Sequence, residues 1–395
     1  MRERKSFYKL ICIFVLLIPI NNSFEVLAML NGSLPYNGWS LQLTPAYIKI
    51  YKDLFTFIFL MLTIYLILRS KETRFLLKRQ ALLPMYLFIM IILLSFSGTL
   101  ILGDPMDALV GLRGFSCLIY FFLGISVCRI IKMTYLNFCM IFILFLQLLL
   151  QIYEYINRAG VPVFGELRSP GVFIVPATAG LFANLTVCLF VLQKKKKLLP
   201  LSLLSIFLSN STAGLLSVFL SLQYGLINTF SKKSKALKFI LIISIIPFAL
   251  FFVFLNISAL SNRGEGITST LLSRFYILTN YFSTVSITDF LFGGRFGQVT
   301  AYAVLDNSST SFIADNTFLG LCVSMGVFSS IFFILFLIRF YMLDKYKILS
   351  FSMILFGLTA NIFDLSPVSQ LLFLLVGIVW GQHMIEKYID NQDRN

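Results

Sequence analysis

Six arginines stand apart from the chain's clusters of basic residues, and their side chains are the best suited to bind an anionic ligand. Arginine presents a planar fork of five N–H donors that can hold a phosphate or carboxylate through two hydrogen bonds, whereas lysine supplies only a point charge. Each of these arginines could instead pair with a nearby acid or cap a helix. For the set as a whole, we expect an anionic ligand. The six are Arg113, Arg158, Arg168, Arg263, Arg274 and Arg295.

Three short segments combine proline, glycine and small polar residues, which restrict the shape of the backbone. The first, 168–176, has two prolines and a glycine after Arg168. The second, 209–214, reads Ser-Asn-Ser-Thr-Ala-Gly, and the third begins at Asp315 and Asn316. Asp315 precedes an apolar stretch, so its carboxylate either complements the dipole of a helix N-terminus or has a functional role at the edge of the bilayer.

The elements that must position these residues are membrane-spanning helices. Of the 395 residues, 58% are hydrophobic and 12% are charged, against about 25% charged residues in a soluble domain. This composition excludes a soluble protein and predicts an all-α polytopic membrane protein. About twelve stretches are long and apolar enough, or nearly so, to cross about 30 Å of hydrocarbon. They are 7–30, 51–68, 82–101, 108–128, 133–155, 171–192, 198–209, 211–230, 237–256, 313–338, 348–363 and 367–386.

The weakest division lies at 198–230, which is either two short passes or one long span with a re-entrant piece. All six cysteines lie in apolar stretches, and we interpret them as small apolar side chains.

The distribution of charge predicts which loops face the cytoplasm. Cytoplasmic loops collect Lys and Arg, and 24 of the 32 Lys and Arg fall in clusters that follow alternate spans. This alternation predicts that both termini are cytoplasmic and that the remaining eight cations lie on the outer face. The net charge of +15 is then mainly a determinant of topology, and we expect no nucleic-acid partner.

One outer segment, residues 257–312, is much longer than the other connections. Loops of this length are usually functional or disordered, and this one has aromatic residues at helical spacing around 270–278. We therefore expect short interfacial helices that cover the outer end of the bundle. The 395 residues then form a single integral membrane domain that contains this large loop.

Read in order, the three segments and the loop resemble the O-antigen polymerase and ligase family of bacterial envelope enzymes. That family has an Arg, then Gly-x-Phe and a Pro that enters a helix, followed by a Ser-x-Ser-x-x-Gly joint. The matching residues are Arg168, Gly171, Phe173, Pro176, Ser209, Ser211 and Gly214.

The second half of the resemblance lies in the loop and the span after it. The family has a Ser-Arg before an aromatic helix, a glycine-rich turn with Phe, and a His-Asn or Asp-Asn pair before an apolar helix. The matching residues are Ser273, Arg274, Phe275, Tyr276, 292–297, Asp315, Asn316 and Gly326. The motifs cover 168–326, and the layout of the spans extends the likeness to the whole chain.

The resemblance implies a fold of about twelve helices with one large periplasmic loop, similar to GT-C glycosyltransferases, in the bacterial inner membrane. It implies a polymerase that joins oligosaccharide repeat units carried on polyprenyl (undecaprenyl) pyrophosphate at the periplasmic face. Donor and acceptor would both be lipid-linked, membrane lipid would surround the protein, and a separate chain-length regulator would be a partner. We expect no metal ion or other cofactor, since fixed arginines would neutralise the leaving pyrophosphate.

The resemblance also implies roles for individual residues. Arg168 and Arg274 would bind the pyrophosphate, and Asp315 would accept the proton of the acceptor hydroxyl. The remaining candidates are expected to contact substrate: Arg113, Arg263, Arg295, Asn316 and Ser211.

Two alternatives remain open at this point. A ligase would transfer the finished chain to lipid A core, but ligases usually have His where this chain has Asp315. A flippase or other transporter of lipid-linked oligosaccharide would perform no chemistry, and it should carry cations within its spans. The middles of nearly all predicted spans are free of charge, which favours the enzyme.

Overall fold

The computed structural model describes residues 2–32, 43–78, 80–131, 133–163, 166–230, 285–298 and 316–392. The predicted span 237–256 lies outside these residues, as do Arg263, Arg274, Asp315 and all of the loop 257–312 except 285–298. The count of twelve spans therefore stays a prediction.

Helices dominate the described residues, and one short β-hairpin interrupts them. The first nine helices are α1 (Arg2–Leu17), α2 (Ser23–Leu30), α3 (Ala46–Lys49), α4 (Tyr51–Arg69), α5 (Lys71–Leu77), α6 (Leu83–Leu102), α7 (Pro105–Gly114), α8 (Cys117–Val127) and α9 (Met133–Asn157). The hairpin consists of β1 (Val161–Val163) and β2 (Glu166–Arg168). The later helices are α10 (Pro176–Leu192), α11 (Leu199–Leu208), α12 (Thr212–Phe230), α13 (Ile287–Phe292), α14 (Thr317–Met325), α15 (Val327–Leu343), α16 (Ile348–Thr359) and α17 (Val368–Gln392).

Six helical segments in the described part of the chain are long and apolar enough to cross a membrane. They are Phe7–Leu30, Tyr47–Arg69, Gln80–Leu102, Pro105–Val127, Met133–Asn157 and Val368–Lys387. Four shorter apolar helices accompany them, α10, α12, α15 and α16. The prediction of a multi-pass helical membrane protein is confirmed.

Several predicted spans have a different form in the structure. The predicted span 348–363 contains the 12-residue α16, and 171–192 contains the 17-residue α10. The predicted span 313–338 is divided at Gly326, whose φ of +83° ends α14 and begins α15. The break exists because another segment packs into it: a Cβ on Gly326 would lie 2.1 Å from the carbonyl oxygen of Leu291. The division predicted near 209–212 is present, but α11 has only 10 residues. Its length of about 15 Å is half the hydrocarbon thickness.

The centre of the bundle is the contact between α8 and α17. Gly124 and Gly377 allow the two backbones to approach closely, since a Cβ on Gly377 would lie 2.1 Å from the carbonyl oxygen of Phe121. Small residues commonly create such close approaches between membrane helices. Trp380 lies beside this contact and stacks on Phe336 at a centroid distance of 5.5 Å. The core therefore combines backbone proximity with large aromatic rings.

Contacts at the helix ends join segments that the charge distribution assigns to the same face. At the predicted inner end, Arg129 donates a hydrogen bond of 2.7 Å to Glu72. At the predicted outer end, Arg113 pairs with Asp53. These pairs are consistent with helices that alternate in direction across the bundle. The assignment of one end to the cytoplasm stays a prediction.

We expect Gly377→Val to destabilise the protein by about 2 kcal/mol or more, because the added methyl groups collide with backbone rather than with a movable side chain. The measurement is the midpoint temperature of thermal unfolding in detergent, detected as the loss of monodisperse protein. The matched control is Gly225→Val on the surface of α12, where a Cβ would meet nothing within 4 Å. Equal midpoints for the two variants would contradict the close contact of α8 and α17.

Candidate functional site

Arg168 is the predicted site residue whose surroundings the structure defines most fully. It ends β2, in register with Val161 of β1, and its side chain is partly buried. After Arg168 the chain forms one short 3-10 turn, Gly171–Phe173, before Pro176 begins α10. We call residues 168–175 the Arg168 loop. Gly171 in this loop has a φ of +59°.

A stripe of three polar side chains on α9 holds the Arg168 loop. Gln147, Gln151 and Glu154 are completely buried, and their spacing places them on one face of the helix. We call them the α9 polar stripe. Each one bonds to the loop backbone, which is how buried polar groups of an irregular segment are normally satisfied.

The hydrogen bonds from the stripe cover successive residues of the loop. Gln151 donates to the carbonyl oxygen of Ser169 at 2.9 Å. Gln147 donates to the carbonyl oxygen of Pro170 at 2.8 Å and accepts from the N–H of Val172 at 2.9 Å. A Cβ on Gly171 would lie 2.6 Å from Oε1 of Gln147. Only glycine fits at this point of the loop.

Glu154 is the acidic member of the stripe. Its Oε2 accepts a hydrogen bond of 3.0 Å from the N–H of Gly171. Its Oε1 has no hydrogen-bond partner among the described residues. A buried carboxyl group is costly unless it is well bonded, so Glu154 is an unusual residue to find beside a loop that only connects two helices.

Glu154 and the two glutamines are not among the site residues predicted from the sequence. The signal was present, because three polar residues recur at helical spacing within an otherwise apolar span. A hydropathy value averaged over a whole span hides such a narrow stripe.

Ser211 lies in the joint between α11 and α12, close to the Arg168 loop. The two segments are joined directly, since the N–H of Ser169 donates to the carbonyl oxygen of Leu208 at 3.1 Å. Ser211 is 5% exposed, and its hydroxyl accepts a hydrogen bond of 3.3 Å from the N–H of Gly214. It also occupies the space that a side chain at Gly180 would need. These contacts of Ser211 are those of a residue that caps one helix and packs closely against another.

Asn316 fixes the start of α14. Its side-chain oxygen accepts hydrogen bonds from the N–H groups of Phe318 and Leu319 at 2.8 and 3.2 Å, as in a helix N-cap. Its amide donates to the carbonyl oxygen of Leu358 at the end of α16, at 3.2 Å. The backbone next to Asp315 is therefore anchored on two helices, although Asp315 itself lies outside the described residues.

Arg295 is an exposed residue in a turn that packs against α7. Phe296 in this turn stacks on Phe115 at a centroid distance of 6.1 Å, and Gln298 donates to Asp107 at 2.7 Å. Gly297 has a φ of +85° and touches the backbone of Asp107. The turn holds Arg295 at the same end of the bundle as the Arg168 loop.

Arg113 has a partner of its own. Its guanidinium donates two hydrogen bonds to the carboxylate of Asp53, at 3.0 and 2.8 Å. A cavity of about 70 Å³ beside it is lined by charges of both signs, including Lys52 and Asp364. The pair of Arg113 with Asp53 is an example of the ion pairing that the sequence left open for each outer arginine.

A larger cavity of about 760 Å³ opens beside α6 at this end of the bundle. Apolar residues such as Leu94 and Phe328 form its walls, while Asp104, Asp107 and Gln298 lie at its polar end. Such a combination suits a ligand with an apolar chain and a polar head.

No part of the described structure contains a group of three or more His, Cys, Asp or Glu side chains that could hold a metal ion. Comparisons with family models, with curated proteins and with solved structures found no match.

We expect Glu154→Leu to loosen the Arg168 loop, because it leaves the buried N–H of Gly171 without an acceptor, at a cost of about 1 to 3 kcal/mol. Glu154→Gln keeps an acceptor oxygen and should have a smaller effect. The measurement is the rate of tryptic cleavage after Arg168, which should rise at least about fivefold in the Leu variant.

The control for this experiment is Asn157→Leu, which changes an exposed polar residue on the same helix. It should leave the cleavage rate unchanged. Cleavage that is equally fast in Glu154→Leu and in the unmodified protein would show that the stripe does not hold the loop.

Proposed function

We propose that the protein is a glycosyltransferase that polymerises lipid-linked oligosaccharide repeat units, in the manner of an O-antigen polymerase. It acts at the periplasmic face of a bacterial inner membrane, with about twelve spans and an architecture similar to GT-C enzymes. Donor and acceptor are both oligosaccharides on polyprenyl pyrophosphate. The large loop 257–312 covers the site, and both termini are cytoplasmic.

The observation that carries this proposal is the Arg168 loop and its buried support. A cation that stabilises a leaving group is effective when it is held in place before the reaction begins. Arg168 meets this condition, because three buried side chains of α9 fix the backbone that follows it. An arginine that served only to set topology would need no such support.

The proposed reaction is a displacement at the anomeric carbon of the donor sugar. The acceptor hydroxyl oxygen forms a bond to that carbon, the bond to the pyrophosphate oxygen breaks, and the electron pair leaves with the polyprenyl pyrophosphate. Arg168 and Arg274 stabilise the developing negative charge, with Arg263 and Arg295 as further contacts. Asp315 accepts the proton of the hydroxyl, and Asn316 fixes the adjacent backbone.

The cavity beside α6 supports a lipid-linked substrate. Its apolar wall includes Leu94, which is 66% exposed, so an isoprenoid chain could enter from the bilayer side. The carboxylates of Asp104 and Asp107 lie at the other end, where they can accept hydrogen bonds from sugar hydroxyls.

We expect Arg168→Ala to lower polymerisation by about 100-fold or more, as loss of a charge-stabilising donor typically does. Arg168→Lys should also fail, since lysine lacks the bidentate fork. The measurement is the length distribution of lipopolysaccharide in a polymerase-null strain that expresses each variant. In parallel, purified protein is tested for extension of a lipid-linked repeat unit.

The matched control is Arg158→Ala, which removes an exposed arginine from the same outer connection. It should give chains of normal length, and immunoblots establish equal amounts of each variant in the membrane. Normal long chains from Arg168→Ala would overturn the assignment of Arg168.

The same strains separate the polymerase from its alternatives. A strain that lacks a polymerase leaves one repeat unit on the lipid A core, whereas a strain that lacks a ligase leaves none. Purified protein that extends lipid-linked units would exclude a transporter.

A further inference from the structure

A second polar cavity lies at the opposite end of the bundle from Arg168. It has a volume of about 580 Å³, within the range of small-molecule sites. The end of α4, the short helix α5 and the end of α8 surround it, and Phe7 of α1 closes one side. The charge distribution of the sequence assigns the clusters of Lys and Arg to this end of the bundle.

Two arginines line this cavity. Arg129 donates a hydrogen bond of 2.7 Å to Glu72, and these two side chains are 47% and 68% exposed. Ion pairs this exposed are weak. In the described contacts Arg129 donates through only one of its five N–H groups. Its guanidinium can therefore bind an anion that accepts more hydrogen bonds than this one carboxylate does.

Arg69 is held on the wall of the same cavity. Its guanidinium carbon lies 5.6 Å from the centre of the Tyr65 ring, and the guanidinium donates to the Tyr65 hydroxyl. Stacking on an aromatic ring orients the guanidinium and limits its motion. Ser70 and Ser126 add hydroxyl groups to the lining.

Most of the remaining lining is apolar, which distinguishes this cavity from a site for a free ion. Leu66, Leu76 and Ile125 face the space. Leu68, next to Arg69 on α4, is 72% exposed. A ligand that fits has an anionic head for the two arginines and apolar chains for the flanking surface.

We propose that this cavity binds the phosphodiester headgroup of an anionic membrane lipid, with Arg69 and Arg129 as the phosphate ligands. Basic pockets between membrane helices on the cytoplasmic side are suited to such headgroups. The phosphate displaces Glu72 from Arg129 and accepts hydrogen bonds from both guanidinium groups. This site is independent of the proposed glycosyl transfer.

The test compares binding of phosphatidylglycerol and phosphatidylcholine to delipidated protein by native mass spectrometry. The preference for phosphatidylglycerol should fall on the order of tenfold in Arg69→Gln/Arg129→Gln. The control Lys71→Gln/Lys78→Gln removes the same charge from exposed positions on or next to α5 and should keep most of the preference. An equal loss in both double variants, or no preference in the unmodified protein, would overturn the proposal.

A second variant keeps the test decisive if the double arginine variant does not fold. Glu72→Gln removes the competing carboxylate, so the affinity for phosphatidylglycerol should rise severalfold. An unchanged affinity would show that Arg129 serves Glu72 alone. Inorganic phosphate and glycerol phosphate form a further arm, and stabilisation by them equal to that by the lipid would mean a site for a soluble phosphate.

Discussion

The organisation of the predicted outer end depends on one constraint, that irregular backbone within a membrane bundle must find all its hydrogen-bond partners inside the protein. The Arg168 loop breaks the α-helical pattern where α9, α10 and α11 meet, and its only helical turn is the short 3-10 turn Gly171–Phe173. Gln147, Gln151 and Glu154 supply the missing donors and acceptors. Because these side chains are completely buried, the loop, the stripe and the neighbouring helices fit together only in one arrangement. The position of Arg168 is a consequence of that arrangement.

The same constraint shapes the second candidate segment. The break at Gly326 separates α14 from α15 and leaves free helix ends inside the bundle. At the start of α14, Asn316 caps the helix, and Thr317 accepts from the N–H of Ile362 at 2.9 Å while it donates to the carbonyl oxygen of Ala360 at 3.0 Å. The loop that begins at Arg168 and the helix start that follows Asp315 are thus both anchored by side chains that bond to backbone. Such anchoring is what a preorganised site requires.

Much of the fold could be predicted from the sequence, because hydropathy and charge act over whole helices. The spans 7–30, 82–101 and 133–155 agree closely with Phe7–Leu30, Gln80–Leu102 and Met133–Asn157. The break at Gly326 could not be predicted, since it depends on the approach of Leu291 from a distant segment. For the candidate site, sequence indicated Arg168 and its loop but neither the support of the loop nor the pairing of Arg113 with Asp53. Both depend on which helices are neighbours, and the composition of a span does not encode its neighbours.

The comparison of individual arginines shows why residue type alone does not identify a site. Arg113 and Arg168 lie at the same end of the bundle and have the same donors, yet Arg113 offers both sides of its fork to Asp53. Arg168 lies at the start of a loop that three buried side chains hold. At the other end, Arg129 has a single bond to an exposed carboxylate in a cavity that a second arginine also lines. The partner of an arginine, the burial of that partner and the rigidity of the backbone therefore distinguish these three residues, although their side chains are the same.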